Sequence, residues 1–280
     1  MCIRDSYKRK AFTLVILLAG SGPNDMDETI YDNKPFQDIA WGLAKKGIAS
    51  YRYDKRTYTY PESFTVKDTV EQEVIFDAVA AFSQMQQQKQ IDTNKIYILG
   101  HSLSGYLIPR IAAETDGCAG YIMMAAPARA LDELLMEQVT YLAKLDGNIT
   151  KDEQAAIDQY KQDQQDLQRI DELSDAKIFF GGMSKAYMKD LLSYDAVQQA
   201  ADIKVPVLCA QGLRDYQVTE KDQAIWRKNF ETHKNWKFTT YPNATHLMID
   251  GEGTPTNEEY KTKGHVNQAF IEDMASFIKK

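Results

Sequence analysis

The chain has 280 residues and a formal net charge of −7 at pH 7, and 44% of its residues are hydrophobic. No apolar run approaches the ~18 residues that a membrane-spanning helix needs, so we expect no transmembrane segment. The excess of negative charge argues against a nucleic-acid partner, because proteins that bind phosphate backbones concentrate positive charge, and we expect a small-molecule substrate instead.

The first six residues, MCIRDS, lack the charged start and apolar core of a secretory signal. They resemble the translation of a transposase adapter used in preparing sequencing libraries. We therefore predict that residues 1–6 are not biological, that the native N-terminus is missing, and that the localisation cannot be read from this sequence.

Apolar runs and amphipathic segments alternate along the chain, which predicts βαβ units and a parallel sheet. The run AFTLVILLAG (11–20) is typical of a strand buried on both faces. Pro109 should loosen the early turns of the helix predicted over 104–114. The predicted strands are 11–20, 48–54, 95–99, 119–126, 205–212 and 236–242, and the helices between and after them are 34–47, 67–88, 104–114, 129–147 and 265–280.

The segment 128–202 interrupts this alternation, since about eighty residues pass without a convincing strand. It contains a polar helix that opens with the capping box of Thr150 and Glu153. A helix this polar cannot belong to the main core. We predict that residues 7–127 and 203–280 form the α/β core and that residues 128–202, here called the cap segment, form a helical cap above the carboxyl edge of the sheet.

The stretch GHSLSG (100–105) follows a predicted strand and precedes a predicted helix, as a nucleophile elbow does. Ser102 is the predicted nucleophile. Ser104 stands where the elbow motif G-x-S-x-G has its last glycine, and its small side chain is a tolerable substitute. Because serine is a poor nucleophile at neutral pH, it needs a neighbouring imidazole, which in turn needs a carboxylate to orient it.

Both partners follow in the expected order, each in a loop after a strand. VPVLCAQGLRD presents Asp215, and WKFTTYPNATH presents His246. Two backbone N–H groups should bind the oxyanion of the reaction: that of Leu103, next to the nucleophile, and that of Ser21 in the loop AGSGPND (19–25).

These motifs together resemble the α/β-hydrolase fold and, within it, bacterial carboxylesterases whose oxyanion loop reads G-S-G-P-N-D-x-D-E. The matching pieces are GSGPNDMDET, GHSLSG, AAPAR, GLRDYQV and HLM, and the resemblance covers residues 15–278. It places Ser102, Asp215 and His246 on the catalytic triad of the family. Two positions depart from the pattern: Ala19 replaces a histidine and Ser104 a glycine. The resemblance also implies two further strands before residue 11, which we expect to be missing.

The predicted activity is hydrolysis of carboxylic esters with short to medium acyl groups through an acyl-enzyme intermediate, without a cofactor. A thioesterase or an acyltransferase would use the same residues. The contrasting alternative is an inactive binding protein or a poorly folded truncated fragment. We predict no metal site, because the four histidines include no pair at ligand spacing and Cys2, Cys118 and Cys209 lack metal-like spacing.

Other polar residues near these motifs have structural interpretations. NDMDE (24–28) lacks the glycine and terminal glutamate of an EF-hand loop, so hydrogen bonds that brace the loop are favoured over calcium. An ion-pair network is favoured for Arg52, Asp54, Lys55 and Arg56, and packing or hydrogen bonding for His101. Tyr187 and Tyr194 could line an acyl pocket or pack the cap segment on the core.

Overall fold

The computed structural model describes residues 11–279. The predicted adapter segment and Cys2 lie outside the described residues, and the two additional upstream strands stay a prediction. Cys118 and Cys209 are free and buried, as expected, and burial raises the pKa of these thiols to about 11 and about 12. No helix within residues 11–279 is both long and apolar enough to cross a membrane.

Six parallel strands form the central sheet in the order β2-β1-β3-β4-β7-β8. This arrangement confirms the predicted parallel α/β core. The strands are β1 (Phe12–Leu18), β2 (Ala49–Tyr51), β3 (Ile91–His101), β4 (Gly120–Met124), β7 (Val207–Gly212) and β8 (Trp236–Tyr241), and a separate antiparallel hairpin contains β5 (Ile178–Phe179) and β6 (Met183–Ser184).

Helices cover both faces of the sheet, and the alternation of side chains along β1 shows why. Leu14, Ile16 and Leu18 belong to one buried cluster, whereas Val15 and Leu17 belong to the other. The α-helices are α1 (Pro35–Ala44), α2 (Arg56–Thr59), α3 (Phe76–Gln86), α4 (Leu103–Tyr106), α5 (Ile108–Glu114), α6 (Leu131–Ala143), α7 (Lys151–Leu167), α8 (Lys185–Leu192), α9 (Ala196–Ala200), α10 (Glu220–Phe230) and α11 (Gln268–Ile278). The first cluster includes residues of α3, α5 and α10, and the second includes residues of α1 and α11.

Two of the predicted helices are less regular than their hydrophobic patterns suggest. The helix predicted over 67–88 begins with a π-helical turn, Glu71–Ile75, before α3. The helix after the elbow is divided into α4 and α5, with Pro109 in the first turn of α5, where its missing N–H costs no hydrogen bond. The predicted loosening at Pro109 is therefore confirmed. Short 3₁₀ turns lie at Pro61–Ser63, Ile170–Glu172 and Asn257–Lys261.

The cap segment contains α6, α7, α8 and α9, and no strand of the main sheet lies within it. The capping box of α7 is confirmed, because the Thr150 hydroxyl accepts from the Glu153 N–H and the Glu153 side chain accepts from the Thr150 N–H. The expectation that the segment lacks strands was wrong in one place, since β5 and β6 pair there. Two-residue strands are too short to leave an alternating pattern in the sequence.

Candidate active site

Ser102 lies at a sharp turn between the end of β3 and the start of α4. Its backbone is in a strained region, with φ 50° and ψ −116°, which a non-glycine residue adopts only when the surrounding structure enforces it. A Cβ added to Gly100 would lie 2.4 Å from the Ser104 carbonyl oxygen, and one on Gly105 would lie 2.8 Å from the Ala126 Cβ. The two glycines are therefore required for the strand and the helix to approach each other.

Ala19 and Ser104, the two positions that depart from the expected pattern, contact each other. The Ser104 hydroxyl is fully buried and donates a hydrogen bond of 2.5 Å to the carbonyl oxygen of Ala19. A serine at this position thus satisfies its own polar group, and it ties the elbow to the end of β1. This contact explains physically why the elbow can hold a residue larger than glycine.

Asp215 and His246 form a buried hydrogen-bonded pair, with 2.7 Å between Asp215 Oδ2 and His246 Nδ1. The second oxygen of Asp215 accepts from the backbone N–H groups of Gln217, at 2.8 Å, and Val218, at 2.9 Å. These bonds hold the carboxylate in the orientation that fixes an imidazole ring and its tautomer.

Within residues 11–279, no hydrogen bond joins the Ser102 hydroxyl to the His246 ring. The two residues are linked through His101, which precedes Ser102. His101 Nε2 is 2.9 Å from the His246 carbonyl oxygen, and the centroids of the two imidazole rings are 4.6 Å apart. In unliganded enzymes, the bond between nucleophile and base is often long and tightens only when the substrate binds.

The loop after β1 has three successive backbone N–H groups, and carboxylates accept from two of them. The Gly20 N–H donates to Glu28 Oε1 at 2.6 Å, and the Gly22 N–H donates to Glu73 Oε1 at 2.9 Å. The N–H of Ser21, between them, has no acceptor in the described part of the chain. Of the three donors, Ser21 is therefore the one left for a ligand.

The loop also comes unusually close to the elbow. A Cβ on Gly20 would lie 3.2 Å from the Ser102 Cβ, so glycine permits this approach. Leu103 is the first residue of α4, and an N–H at that position has no acceptor within its own helix. The predicted donors Ser21 and Leu103 thus both flank Ser102.

A cavity of about 550 Å³ opens at Ser102, and Ser21 and Leu103 line it. Its walls are mostly apolar and combine the core with the cap segment, through residues such as Val218, Leu131, Leu134, Met183 and Tyr187. Asp215 lines a separate, more open groove of about 920 Å³, and His246 lines neither. An apolar cavity with few polar groups is typical of a small-molecule site.

Glu73 was not singled out by the sequence motifs, yet it contacts three parts of the site. In addition to the Gly22 N–H, it binds Lys55 Nζ at 2.7 Å and accepts from the Tyr187 hydroxyl at 2.6 Å. Burial and the charge of Glu73 raise the pKa of Tyr187 well above its ordinary value. An acidic residue next to the apolar VIF run of an amphipathic segment was the only signal in the sequence.

The predicted ion pairs are confirmed for Arg52, Lys55 and Arg56, whereas Asp54 makes no salt bridge within the described residues. Arg52 pairs with Asp27 at 3.0 Å, Lys55 pairs with Glu73, and Arg56 pairs with Asp77. Asp54 accepts from the Met26 N–H, and Asp25 accepts from Asp27 and Thr29 and braces the NDMDE loop. In the described range, no group of three or more His, Cys, Asp or Glu side chains could hold a metal ion.

Tyr187 and Tyr194 both join the cap segment to the core, but only Tyr187 lines the cavity. The Tyr194 hydroxyl donates to the Tyr106 carbonyl oxygen at 2.9 Å, and the Tyr106 hydroxyl donates to the Tyr194 carbonyl oxygen at 3.3 Å. Tyr194 therefore packs the cap segment on the core, whereas Tyr187 does so and also lines the cavity.

Comparison with known proteins gives consistent results. The family model described as "Serine aminopeptidase, S33" matches residues 33–253. A protein named Esterase EstD from Thermotoga maritima is 42% identical over 271 residues, which are 96% of this chain. The match covers 62% of that relative, so the chain spans less than two thirds of its length.

Solved structures share the fold at low sequence identity. Est1E from Butyrivibrio proteoclasticus is 18% identical, with a TM-score of 0.60 over 99% of this chain and 92% of that one. The alpha/beta hydrolase GrgF from Penicillium sp. sh18 is 15% identical, with a TM-score of 0.59 over 96% and 90%. The expected α/β-hydrolase fold is therefore confirmed.

Proposed function

Since the chain belongs to the serine aminopeptidase S33 family of hydrolases, we propose that it is a serine carboxylesterase that cleaves esters with short to medium acyl groups. Within that family we infer the branch whose oxyanion loop reads G-S-G-P-N-D-x-D-E. The observation that supports the activity most strongly is the strained Ser102 turn beside a free Ser21 N–H and a hydrogen-bonded His246–Asp215 pair.

The reaction follows from the roles these groups can take. Ser102 Oγ attacks the ester carbonyl carbon while His246 Nε2 takes the hydroxyl proton, and Asp215 stabilises the imidazolium that forms. The N–H groups of Ser21 and Leu103 bind the oxyanion, a contribution of roughly 3 kcal/mol for each donor. His246 then protonates the leaving alcohol, and water hydrolyses the acyl-enzyme by the same steps. This chemistry requires no cofactor.

We propose that residues 128–202 act as the cap that selects the substrate, because Leu131, Leu134, Met183 and Tyr187 line the cavity above Ser102. A thioesterase or an acyltransferase would need the same triad and would differ in what this cap admits. The apolar walls suit the acyl group of an ester.

The family description raises aminopeptidase activity as a second candidate, and the apolar walls of the cavity and the pairing of Glu73 favour the ester. An aminopeptidase must bind the ammonium group of its substrate, which requires negative charge. Two carboxylates line the cavity, those of Glu73 and Asp68. Glu73 is paired with Lys55, and Asp68 accepts from the N–H and the hydroxyl of Thr65. The charge of Glu73 is thus compensated by Lys55, whereas the donors to Asp68 are neutral and leave its charge uncompensated.

The test is turnover of p-nitrophenyl acetate and butyrate by the wild type and by Ser102→Ala. We expect the variant to lose about 10³-fold or more in kcat. Ser193→Ala, which removes an exposed hydroxyl outside the cavity, should keep the wild-type rate. Equal rates for the wild type and Ser102→Ala would refute the assignment of the nucleophile. Turnover of alanine p-nitroanilide in place of the esters would favour the peptidase.

A further inference from the structure

A buried pair, Glu28 and His101, connects the three loops that surround Ser102. Glu28 Oε1 is 2.8 Å from His101 Nδ1 and accepts from the Gly20 N–H at 2.6 Å. On the other side of the ring, His101 Nε2 is 2.9 Å from the His246 carbonyl oxygen. Glu28 is 2% exposed and His101 is 3% exposed. The pair thus links the Ser21 loop, the elbow and the His246 loop.

The loop is built to direct Glu28 inward. Glu28 has a φ of 54°, a left-handed conformation that residues other than glycine rarely adopt. Its N–H donates to the Asp25 carbonyl oxygen, and the Asp25 side chain accepts from the N–H groups of Asp27 and Thr29. The second oxygen of Glu28, Oε2, is buried and has no hydrogen-bond partner among the described residues. Glu28 therefore makes its side-chain hydrogen bonds, to Gly20 and His101, with Oε1 alone among the described residues.

The partners of the ring determine its protonation state. A carbonyl oxygen only accepts, so His101 Nε2 must carry a proton to bond with His246. An ionised carboxylate also only accepts, so His101 Nδ1 must carry the second proton. The titratable groups that face the ring are the Glu28 and Asp215 carboxylates and the His246 imidazole. Burial opposes protonation, but the charge of Glu28, its hydrogen bond and the His246 carbonyl outweigh that effect and raise the pKa of His101.

We propose that Glu28 and a doubly protonated His101 form an ion pair whose role is to position the Ser21 loop and the His246 loop around Ser102. The pair would fix Gly20, and with it the direction of the Ser21 N–H. It would also fix the backbone of His246, and with it the ring. These are positioning residues, since neither lines the cavity at Ser102. The inference rests on the proposed function, because it concerns the same reaction.

We expect the pH profile of kcat to have an alkaline limb, on which kcat decreases with rising pH. As pH rises through the raised pKa of His101, Nδ1 loses its proton and its lone pair then faces the Glu28 carboxylate. The two groups repel, the link between the loops is lost, and kcat falls. In Glu28→Gln the amide oxygen can still accept from Gly20, but the negative charge that favours the imidazolium is gone. The pKa of His101 then falls, so the alkaline limb must move to lower pH.

The experiment measures kcat and KM for p-nitrophenyl butyrate between pH 6 and pH 10, with Ser102→Ala as the blank for spontaneous hydrolysis. For Glu28→Gln we expect kcat at pH 8 to fall by roughly 10- to 100-fold, as misplaced groups in active sites do, with little change in KM and with the alkaline limb displaced downward by about one pH unit. An unchanged profile would overturn the proposal.

The chain offers a matched control in Asp38, a second carboxylate beside a histidine. Asp38 lies 3.1 Å from Nδ1 of the exposed His265 and does not line the cavity at Ser102. Asp38→Asn removes the same charge from the same type of pair, and its kcat and alkaline limb should match those of the wild type. If it displaces the limb as Glu28→Gln does, the effect is one of net charge and the positioning role is refuted.

A second measurement on the wild type does not depend on whether the variant folds. The chain has four histidines, so the imidazole nitrogens can be followed by NMR of the ¹⁵N-labelled protein. We expect one ring to be doubly protonated at pH 8 and this signal to be absent from His101→Gln. Four neutral rings at pH 8 would overturn the proposal. A wild type that shows the imidazolium but hydrolyses no ester would refute the proposed function while supporting the ion pair.

Discussion

Asp215 and Asp222 are both buried carboxylates near the predicted site, and their partners separate their roles. Asp215 bonds to the His246 ring, whereas Asp222 accepts from the backbone of Ala128 and Arg129 and pairs with the Arg129 guanidinium at 2.8 Å. Asp222 thus anchors the start of the cap segment. The hydrogen bonds thus favour Asp215, the residue predicted from the sequence, as the partner of the imidazole.

Replacement of each aspartate by asparagine tests this distinction. Asp215→Asn should lower kcat by about 10⁴-fold, because the amide favours the wrong tautomer of the imidazole. Asp222→Asn should leave kcat within about 10-fold, while weaker hydrogen bonds to Arg129, which keeps its ion pair with Glu137, lower the free energy of unfolding by roughly 1–3 kcal/mol. Activity assays and urea denaturation of both variants give the comparison. A larger loss of kcat in Asp222→Asn would reassign the carboxylate of the triad.

Helix α8 and the Ser21 loop are connected through one side chain, Glu73, although they lie far apart in the sequence. Tyr187 of α8 donates to Glu73 Oε2, and Glu73 Oε1 accepts from the Gly22 N–H. Glu73 lies on the π-helical turn before α3, and such turns are frequent at functional sites. Through this contact, the position of the cap segment can affect the geometry of the Ser21 N–H.

Tyr187→Phe removes only the hydroxyl of this connection. We expect kcat to fall about 3- to 10-fold, the size of one hydrogen bond's net contribution, because Glu73 keeps Lys55 and Gly22 but loses its link to α8. Tyr194→Phe removes a comparable bond between the cap segment and the core, to the Tyr106 carbonyl oxygen, and serves as the matched control. If both variants lose kcat equally, general attachment of the cap segment is responsible and Glu73 has no special role.

Two hydrophobic cores, one on each face of the sheet, support the strands and helices that carry the site. Trp226 of α10 is fully buried, stacks on Trp236 and donates from Nε1 to the Ala126 carbonyl oxygen at 3.1 Å. Ala126 in turn contacts Gly105 of the elbow. One side chain therefore supports both the packing of α10 and the backbone next to the elbow.

Trp226→Ala should lower the free energy of unfolding by about 3–5 kcal/mol, the cost of a large cavity in a core. Trp41, which is 59% exposed on α1, provides the same substitution without burial, and Trp41→Ala should change stability by less than about 0.5 kcal/mol. Guanidinium denaturation followed by circular dichroism measures both. Similar losses in the two variants would contradict the packing described for α10.

The sequence by itself determined the parallel α/β core, the elbow at Ser102 and the strand-end positions of Asp215 and His246. These features depend on apolar runs, glycines and the order of elements, which are local or periodic in the chain. What the sequence did not predict also has a local cause. Helix α10 was not predicted, because its pattern is strongly polar and only a few of its side chains, such as Trp226, enter the core.

Only the tertiary structure decided which polar groups meet. Glu28 and His101 are 73 positions apart, and Glu73 and Tyr187 are 114 positions apart, so no spacing in the sequence records these contacts. They depend on loops from different strands meeting at one edge of the sheet, where burial favours a partner for most polar groups. The sequence was sufficient to predict the reacting groups, and only the packing of the loops shows the residues that we propose to hold them in place.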